Sequence, residues 1–284
     1  MAIIQQVEMK SKKIKALYAV IFAFLSIGLF VNFLPLIMMF LGTFKTNNEL
    51  QSAVPVIFPA KWSFESYKLA FSNFNILHNV YNTVFYCGMS IICQTITSTM
   101  AAFALSRINM KGKSLFYTIF IGTSMFTATA LLFPTYILLT KCGMIGNKMS
   151  LILIYSGWGY AIILYKNFFD SIPKDLFEAA EIDGAGIFQQ IIRIMVPLSK
   201  PIFAVNILST FMAVYNDFLL PTMIYPDEND WSLMMRIFMM DKSGNIEPRI
   251  MYVLLFVTTI PSIVFYLFAQ KTLVQGVAST GIKG

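Results

Sequence analysis

The stretch PKDLFEAAEIDGAGIFQQIIRIMVPLSKP, residues 173–201, gathers four carboxylates, Asp175, Glu178, Glu181 and Asp183, between long runs that carry almost no charge. Acids so close together invite acid–base or metal chemistry, but such chemistry needs partners of other types. The chain has one histidine, His78, which excludes an HExxH zinc site and reads as an interfacial residue. Cys87 and Cys93 lie six residues apart, on different faces of a helix, and Cys142 stands alone, so no disulfide or metal framework follows. Lys111-Gly112-Lys113-Ser114 has the end of a phosphate loop without its beginning, because the pattern needs glycine five residues before Gly112 and Arg107 stands there. A basic loop is a sufficient reading of that segment. With no nucleophile, acid–base pair or metal cluster, the acids belong to something other than catalysis.

The elements around them explain the setting. The chain is 57% hydrophobic and 12% charged, against roughly 25% charged in a soluble domain. A helix needs about 20 apolar residues to cross a bilayer, since its backbone polar groups must be satisfied internally. Six stretches meet that need: Ala16–Leu41, Val80–Leu105, Leu115–Leu139, Lys148–Phe169, Pro201–Pro221 and Ile250–Gln270. The fold class expected is therefore an all-α membrane protein, a six-helix bundle forming one domain over 1–284, with the acidic loop 170–200 between spans four and five. The first run is too long for a cleaved signal peptide and no small-x-small site follows, so it reads as a retained span. Pro35, Pro134 and Pro261 are expected to kink or interrupt spans one, three and six.

The net charge of +7 sorts by side. Of the 21 Lys and Arg residues, thirteen fall on the side that holds the N-terminus, the acidic loop and the C-terminus. That side is expected to be cytoplasmic, with loops 42–79, 140–147 and 222–249 outside. The basic balance is thus topology in a lipid bilayer and gives no support to nucleic-acid binding.

Span two is polar for a membrane helix, with Asn82, Thr83, Gln94, Thr95, Thr97, Ser98 and Thr99, so it is expected inside the bundle. Interhelical hydrogen bonding is one reading of these residues; a polar path for solute is the other. Asp217 is the only acid well within an apolar run. It and Asn216 read as interior hydrogen-bonding groups or as part of a translocation pathway. In the outer loop, Trp231 to Met239 suits an amphipathic helix at the interface, followed by a polar turn, Asp241, Lys242, Ser243, Gly244 and Asn245, that runs to Glu247.

Within the acidic loop, Pro173 suits a first helical turn and Asp175 and Glu178 complement the positive end of its dipole. Leu176, Ala179, Ala180 and Asp183 share one small, mainly apolar face. Gly184 and Gly186 are expected to break this helix. Ile187, Ile191 and Ile194 then make a second amphipathic stretch, which Pro197 is expected to stop before Pro201 opens span five. A simple connection needs only a handful of residues. A hairpin lying on the membrane would favour lysines over these acids, so a protein partner is the better reading.

At this point the residues resemble a known family. Glu178-Ala179-Ala180, then Gly184, then Ile194-Met195-Val196-Pro197 is similar to the EAA signature of the membrane subunits of binding-protein-dependent ABC importers, with Val196 where that family usually has leucine. FFDSIPKDLFEAAEIDGAG, YNDFLLP at Tyr215–Pro221, FPAKWSFESYKLAF, Asn82 and the ending AQKTLVQGVASTGIKG resemble the carbohydrate importers of maltose type. The resemblance implies a type I importer permease fold in a bacterial cytoplasmic membrane. Glu178, Ala179, Ala180, Asp183 and Gly184 would lie on a coupling helix docked in a cytoplasmic ABC ATPase dimer. ATP and Mg would be bound by that partner, with no cofactor in this chain. It further implies a second, homologous permease, an external solute-binding protein met by Asp241, Lys242, Ser243, Gly244 and Asn245, and a carbohydrate cargo, an oligosaccharide. An ion-coupled secondary carrier is the alternative, but it calls for buried ionisable residues on several helices, and only Asp217 approaches that.

Overall fold

The computed structural model describes residues 12 to 280, Pro55 and Asn245 apart. All its regular elements among these residues are helical. In chain order they are α1 (Lys12–Gly42), the single turn α2 (Asn47–Leu50), α3 (Glu65–Asn73), α4 (Ile76–Arg107), α5 (Lys113–Ser124), α6 (Ala128–Lys141), α7 (Met149–Ser156) and α8 (Gly159–Asp170). Then come α9 (Asp175–Ile182), α10 (Ile187–Gln190), a π turn (Ile191–Met195), α11 (Val196–Leu198), α12 (Lys200–Asn216) and α13 (Leu219–Ile224). A 3₁₀ turn (Glu228–Asp230), α14 (Leu233–Ser243) and α15 (Pro248–Thr280) complete the order.

Among the described residues, four helices are long and apolar enough to cross a membrane alone: Ile14–Gly42, Ile76–Arg107, Met149–Asp170 and Pro248–Gln270. Two bent pairs, Lys113–Ser124 with Ala128–Lys141 at 107° and Ile187–Leu198 with Lys200–Asn216 at 83°, bring the number to six if each is one span. The interruptions are not where the prolines are. Pro35, Pro134 and Pro261 lie inside α1, α6 and α15, which continue through them. Span three breaks at Met125–Thr127 instead. There the Thr123 and Ser124 hydroxyls bond back to Phe120 and Ile121 carbonyls, and Thr127 caps the new helix by accepting from Ala130 N–H. Span four is interrupted at Gly157–Trp158, where the Thr97 hydroxyl from α4 takes up the Ser156 carbonyl at 2.5 Å. Span five, expected to reach Pro221, stops at Asn216: Asp217 turns to an extended backbone, its carboxylate accepts from Leu220 N–H at 3.3 Å, and Pro221 falls in the first turn of α13, where no N–H is needed.

The chain divides into two compact units, Met1–Asn73 with Ile246–Val257 and Phe74–Asn245 with Thr258–Gly284. In the first, Phe44 is ringed by Phe40, Trp62, Phe64 and Tyr67 at centroid distances of 5.0 to 5.8 Å. Arg249 pairs with Glu247 at 2.7 Å and Glu65 at 3.4 Å. The Thr46 and Ala60 N–H groups hold the Glu49 carboxyl below its usual range. The α1 residues from 15 to 36 are exposed along their whole length.

The second unit is built on α4. One apolar cluster joins Tyr86, Leu151, Phe211, Tyr225 and Trp231; the other joins Phe103, Tyr165, Phe169, Phe177, Met195 and Phe203. Between them lies a buried polar layer. The Gln94 amide oxygen accepts from Asn206 Nδ2 at 3.0 Å and from the Thr210 hydroxyl, and Asn206 Nδ2 also reaches Tyr165 OH at 3.0 Å. Gln94 and Thr210 tie α4 to α12, and Tyr165 adds α8. Of the polar residues in span two, Asn82, Thr83, Gln94, Ser98 and Thr99 are buried as expected, while Thr97 is exposed.

Two helices approach unusually closely at Gly159, where a Cβ would lie 2.9 Å from the Phe120 carbonyl oxygen of α5. Gly159→Ala is expected to lower the melting temperature of the purified chain, at a cost of about 1–3 kcal/mol for the overpacked crossing. Gly157→Ala, with nothing within 4 Å of its new methyl, is expected to leave it nearly unchanged. Differential scanning fluorimetry in detergent compares the two, and equal effects would show that the crossing is not tight.

Candidate functional site

The acidic loop folds as two helical pieces joined at glycine. Asp175 and Glu178 occupy the first turn of α9, where the free N–H groups favour negative charge. At the other end, Gly184 takes φ +79°, its N–H donates to Glu181 O at 3.0 Å, and Ala185 N–H donates to Ala180 O at 2.8 Å. That pair of bonds is the Schellman motif, which needs a left-handed residue after the cap and hence favours glycine. Gly186 has an ordinary negative φ of −69°, and Gln189 Oε1 accepts its N–H at 3.2 Å to start α10. The second piece then runs further than expected: Pro197 lies inside the continuous helix Ile187–Leu198. The π turn just before it shifts the bonding register, so that the proline's missing N–H is absorbed. The 83° bend into α12 comes at Ser199 instead.

The residues singled out for docking are left free by this chain. Glu178, Ala179, Asp183 and Gly184 are exposed and Ala180 is half-buried, while Leu176 is 46% and Ile182 87% exposed. This chain covers neither of these two apolar side chains, so the outer face of α9 is open to a neighbour.

The opposite face of α9 is fixed by a residue that sequence reasoning passed over. Phe177 is buried against Phe103 of α4, ring centroids 6.2 Å apart, and the Arg107 guanidinium lies 4.3 Å from its centroid. Arg107 also donates to Phe169 O at 2.5 Å and Ile172 O at 2.7 Å. Cation–π contacts contribute about 0.5–2 kcal/mol and hydrogen bonds from a charged donor about 1.5–3 kcal/mol, so the α9 anchor is firm. In the sequence Arg107 reads only as one of the charges that set topology.

At the other end of α4 a second polar cluster holds the segment before α14. Asn79 Nδ2 donates to Trp231 O at 2.9 Å, Asn82 Nδ2 to Asn229 O at 2.7 Å and Trp231 O at 3.1 Å, and Tyr86 OH to Asp230 O at 2.9 Å. His78, read as an interfacial residue, bonds Asn229 O at 2.8 Å. Arg236 pairs with Glu228 at 2.6 Å and lies over the Trp231 ring. The helix expected after Trp231 exists as α14, and its apolar face is packed within the protein: Leu233, Met235, Ile237 and Met240 are buried, facing α4 and α13. The polar turn is correspondingly shorter than expected. Asp241, Lys242 and Ser243 form the exposed last turn of α14, Gly244 caps it at φ +66°, and Asn245 lies outside the described residues.

Asn216 and Asp217 line a cavity of about 730 Å³ together with Tyr155, Trp158, Tyr160 and Ser209, where the breaks in spans three, four and five meet. The Asp217 carboxylate accepts from Tyr155 OH at 3.0 Å, whereas Asn216, also read as an interior group, is exposed and donates to Met212 O at 2.8 Å. Amides, hydroxyls and aromatic faces around a cavity can bind a polyhydroxylated ligand by hydrogen bonds and stacking.

The family model described as binding-protein-dependent transport system inner membrane component matches residues 1–279. The chain is 27% identical to the diacetylchitobiose uptake system permease protein of Streptomyces coelicolor, over 86% of this chain and 82% of that protein. It is 28% identical to the maltodextrin transport system permease protein of Bacillus subtilis, over 93% and 95%, and 31% identical to the galactooligosaccharides transport system permease protein of the same organism, over 86% and 87%. Among solved structures, a crystal structure of a bacterial ABC transporter involved in the import of the acidic polysaccharide alginate superposes with a TM-score of 0.84 at 21% identity, over 92% of this chain and 98% of that one.

Proposed function

This chain belongs to the family of inner membrane components of binding-protein-dependent transport systems, and we propose that it is one of two permease subunits of an importer that carries an oligosaccharide into the cell. Its fold is the all-α bundle of a type I ABC importer permease, and it is a multi-pass membrane protein, a translocation subunit rather than an ion-coupled secondary carrier. The named relatives serve diacetylchitobiose, maltodextrin and galactooligosaccharides, which supports the class of cargo. In this reading both termini and α9 face the cytoplasm, a homologous second permease completes the pathway, and Asn216 and Asp217 line it. Asp241, Lys242, Ser243, Gly244 and Asn245 meet a solute-binding protein outside. An ABC ATPase dimer binds ATP and Mg and receives α9 through Glu178, Ala179, Ala180, Asp183 and Gly184.

The observation that carries the reading is the geometry of α9, whose acidic and apolar outer face is bare while its inner face is fixed through Phe177. A helix so held follows a docked partner as a rigid lever. The test is to purify the assembly through this chain and to measure uptake. An ATPase and a second permease are expected to co-purify, and Glu178→Lys is expected to lower ATP-driven oligosaccharide uptake several-fold with the chain still in the membrane. Native uptake by that variant, or the absence of any ATPase, would overturn the proposal.

A further inference from the structure

Only four residues, from Ser171 to Lys174, separate the end of α8 from α9, and a short linker does not by itself fix the direction of an eight-residue helix. Two side chains fix it here: Phe177, packed on Phe103 of α4, and Arg107. Arg107, the last residue of α4, places its guanidinium 4.3 Å from the Phe177 ring centroid on α9 and donates to the carbonyls of Phe169 and Ile172 at the C-terminal end of α8. Phe169 O lies in the last turn of α8, where the helix dipole favours a cation, and Ile172 O lies two residues beyond the helix end, so charge and ring face both favour a cation at this point. Both carbonyls are reached from one nitrogen, Nη2, while the flat guanidinium lies against the ring; a lysine ammonium can donate to two carbonyls but presents no plane to the ring.

We propose that Arg107 is a positioning residue for transport, clamping α9 to α4 and α8 so that movement of a docked ATPase is passed to the membrane helices. The proposal rests on the importer reading above. Arg107 does not touch the ATPase; it acts through Phe177. Loosening the clamp therefore leaves docking in place and lets the docked helix move without the bundle.

The experiment uses the complete complex, with its own ATPase, second permease and binding protein, in proteoliposomes. It records three quantities: ATPase bound per complex, ATP hydrolysed, and solute imported. For Arg107→Lys, Arg107→Gln and Phe177→Leu, ATPase content is expected to be native, while solute imported per ATP falls at least fivefold. Phe177→Tyr, which keeps the ring face, is expected to stay within twofold of native. If Arg107→Gln fails to reach the membrane, the other three variants decide. A native ratio for Arg107→Lys or Phe177→Leu overturns the proposal, as does an equal loss in Phe177→Leu and Phe177→Tyr, which would mark plain packing. Loss of ATPase from these variants overturns it too, since the clamp would then serve docking. If the unmodified complex holds no ATPase, the importer reading itself fails, and that result is separate from all the others.

Discussion

Gly184→Val will reduce ATP-driven uptake at least tenfold while the chain remains in the membrane, whereas Gly184→Asn will retain most of it. The reason is conformational. Gly184 sits at φ +79° and nothing lies within 4 Å of where its Cβ would be, so space is not the constraint. A left-handed backbone costs an ordinary L-residue roughly 1–2 kcal/mol, and a β-branched residue is a genuine outlier there, while asparagine is among the few side chains that tolerate it. Valine therefore undoes the two bonds from Gly184 and Ala185 to Glu181 and Ala180 that end α9, and with them the angle at which α10 leaves. Since Gly184 is exposed, both substitutions enlarge the same surface, and a large difference between them isolates the backbone turn from direct contact with a partner. Uptake in membrane vesicles at matched protein level is the measurement. Equal transport by the two variants would mean that the turn has no part in coupling.

The long apolar runs, the polar character of α4, the helical start at Asp175 and the break at Gly184 were legible in the sequence because each is local: composition, dipole and glycine act within one or two turns. What escaped depends on partners far away in the chain. The Thr97 hydroxyl that takes up the Ser156 carbonyl at the break of span four comes from a different helix. Pro197 reads as a stop, yet a π turn over Ile191–Met195 carries the helix past it to Leu198. Met235 and Met240 fall on the apolar face that the sequence shows for this helix, but that the face packs on α4 depends on residues some 150 positions away. Arg107 and Phe177 were the largest omission, because a single Arg at the end of a span is indistinguishable from a topological charge until the carbonyls of Phe169 and Ile172 are seen to converge on it.

Asn82→Leu will destabilise the end of the second unit at the start of α4 by about 2 kcal/mol, since it removes two donated hydrogen bonds and the contact from Lys148 at a site with no solvent exposure. Single substitutions are softened here by shared acceptors. The Trp231 carbonyl accepts from both Asn79 and Asn82, and the Asn229 carbonyl from both Asn82 and His78. Removing one donor leaves each carbonyl satisfied; removing Asn79 and Asn82 together leaves the buried Trp231 carbonyl bare and also takes the Arg236 Nε partner at 3.3 Å. The double variant Asn79→Leu/Asn82→Leu is thus expected to cost about 1 kcal/mol more than the sum of the single changes. Thermal unfolding of the four proteins in one detergent gives this coupling directly. The segment 227–232 should also become cleavable by added protease in the double variant first, because α4 grips it through those asparagines. Strict additivity would show that the two side chains act independently. In that case the two asparagines would not act as one clasp on the segment before α14, and α4 would be tied to its neighbours chiefly by Gln94 at mid-length and Arg107 at its end.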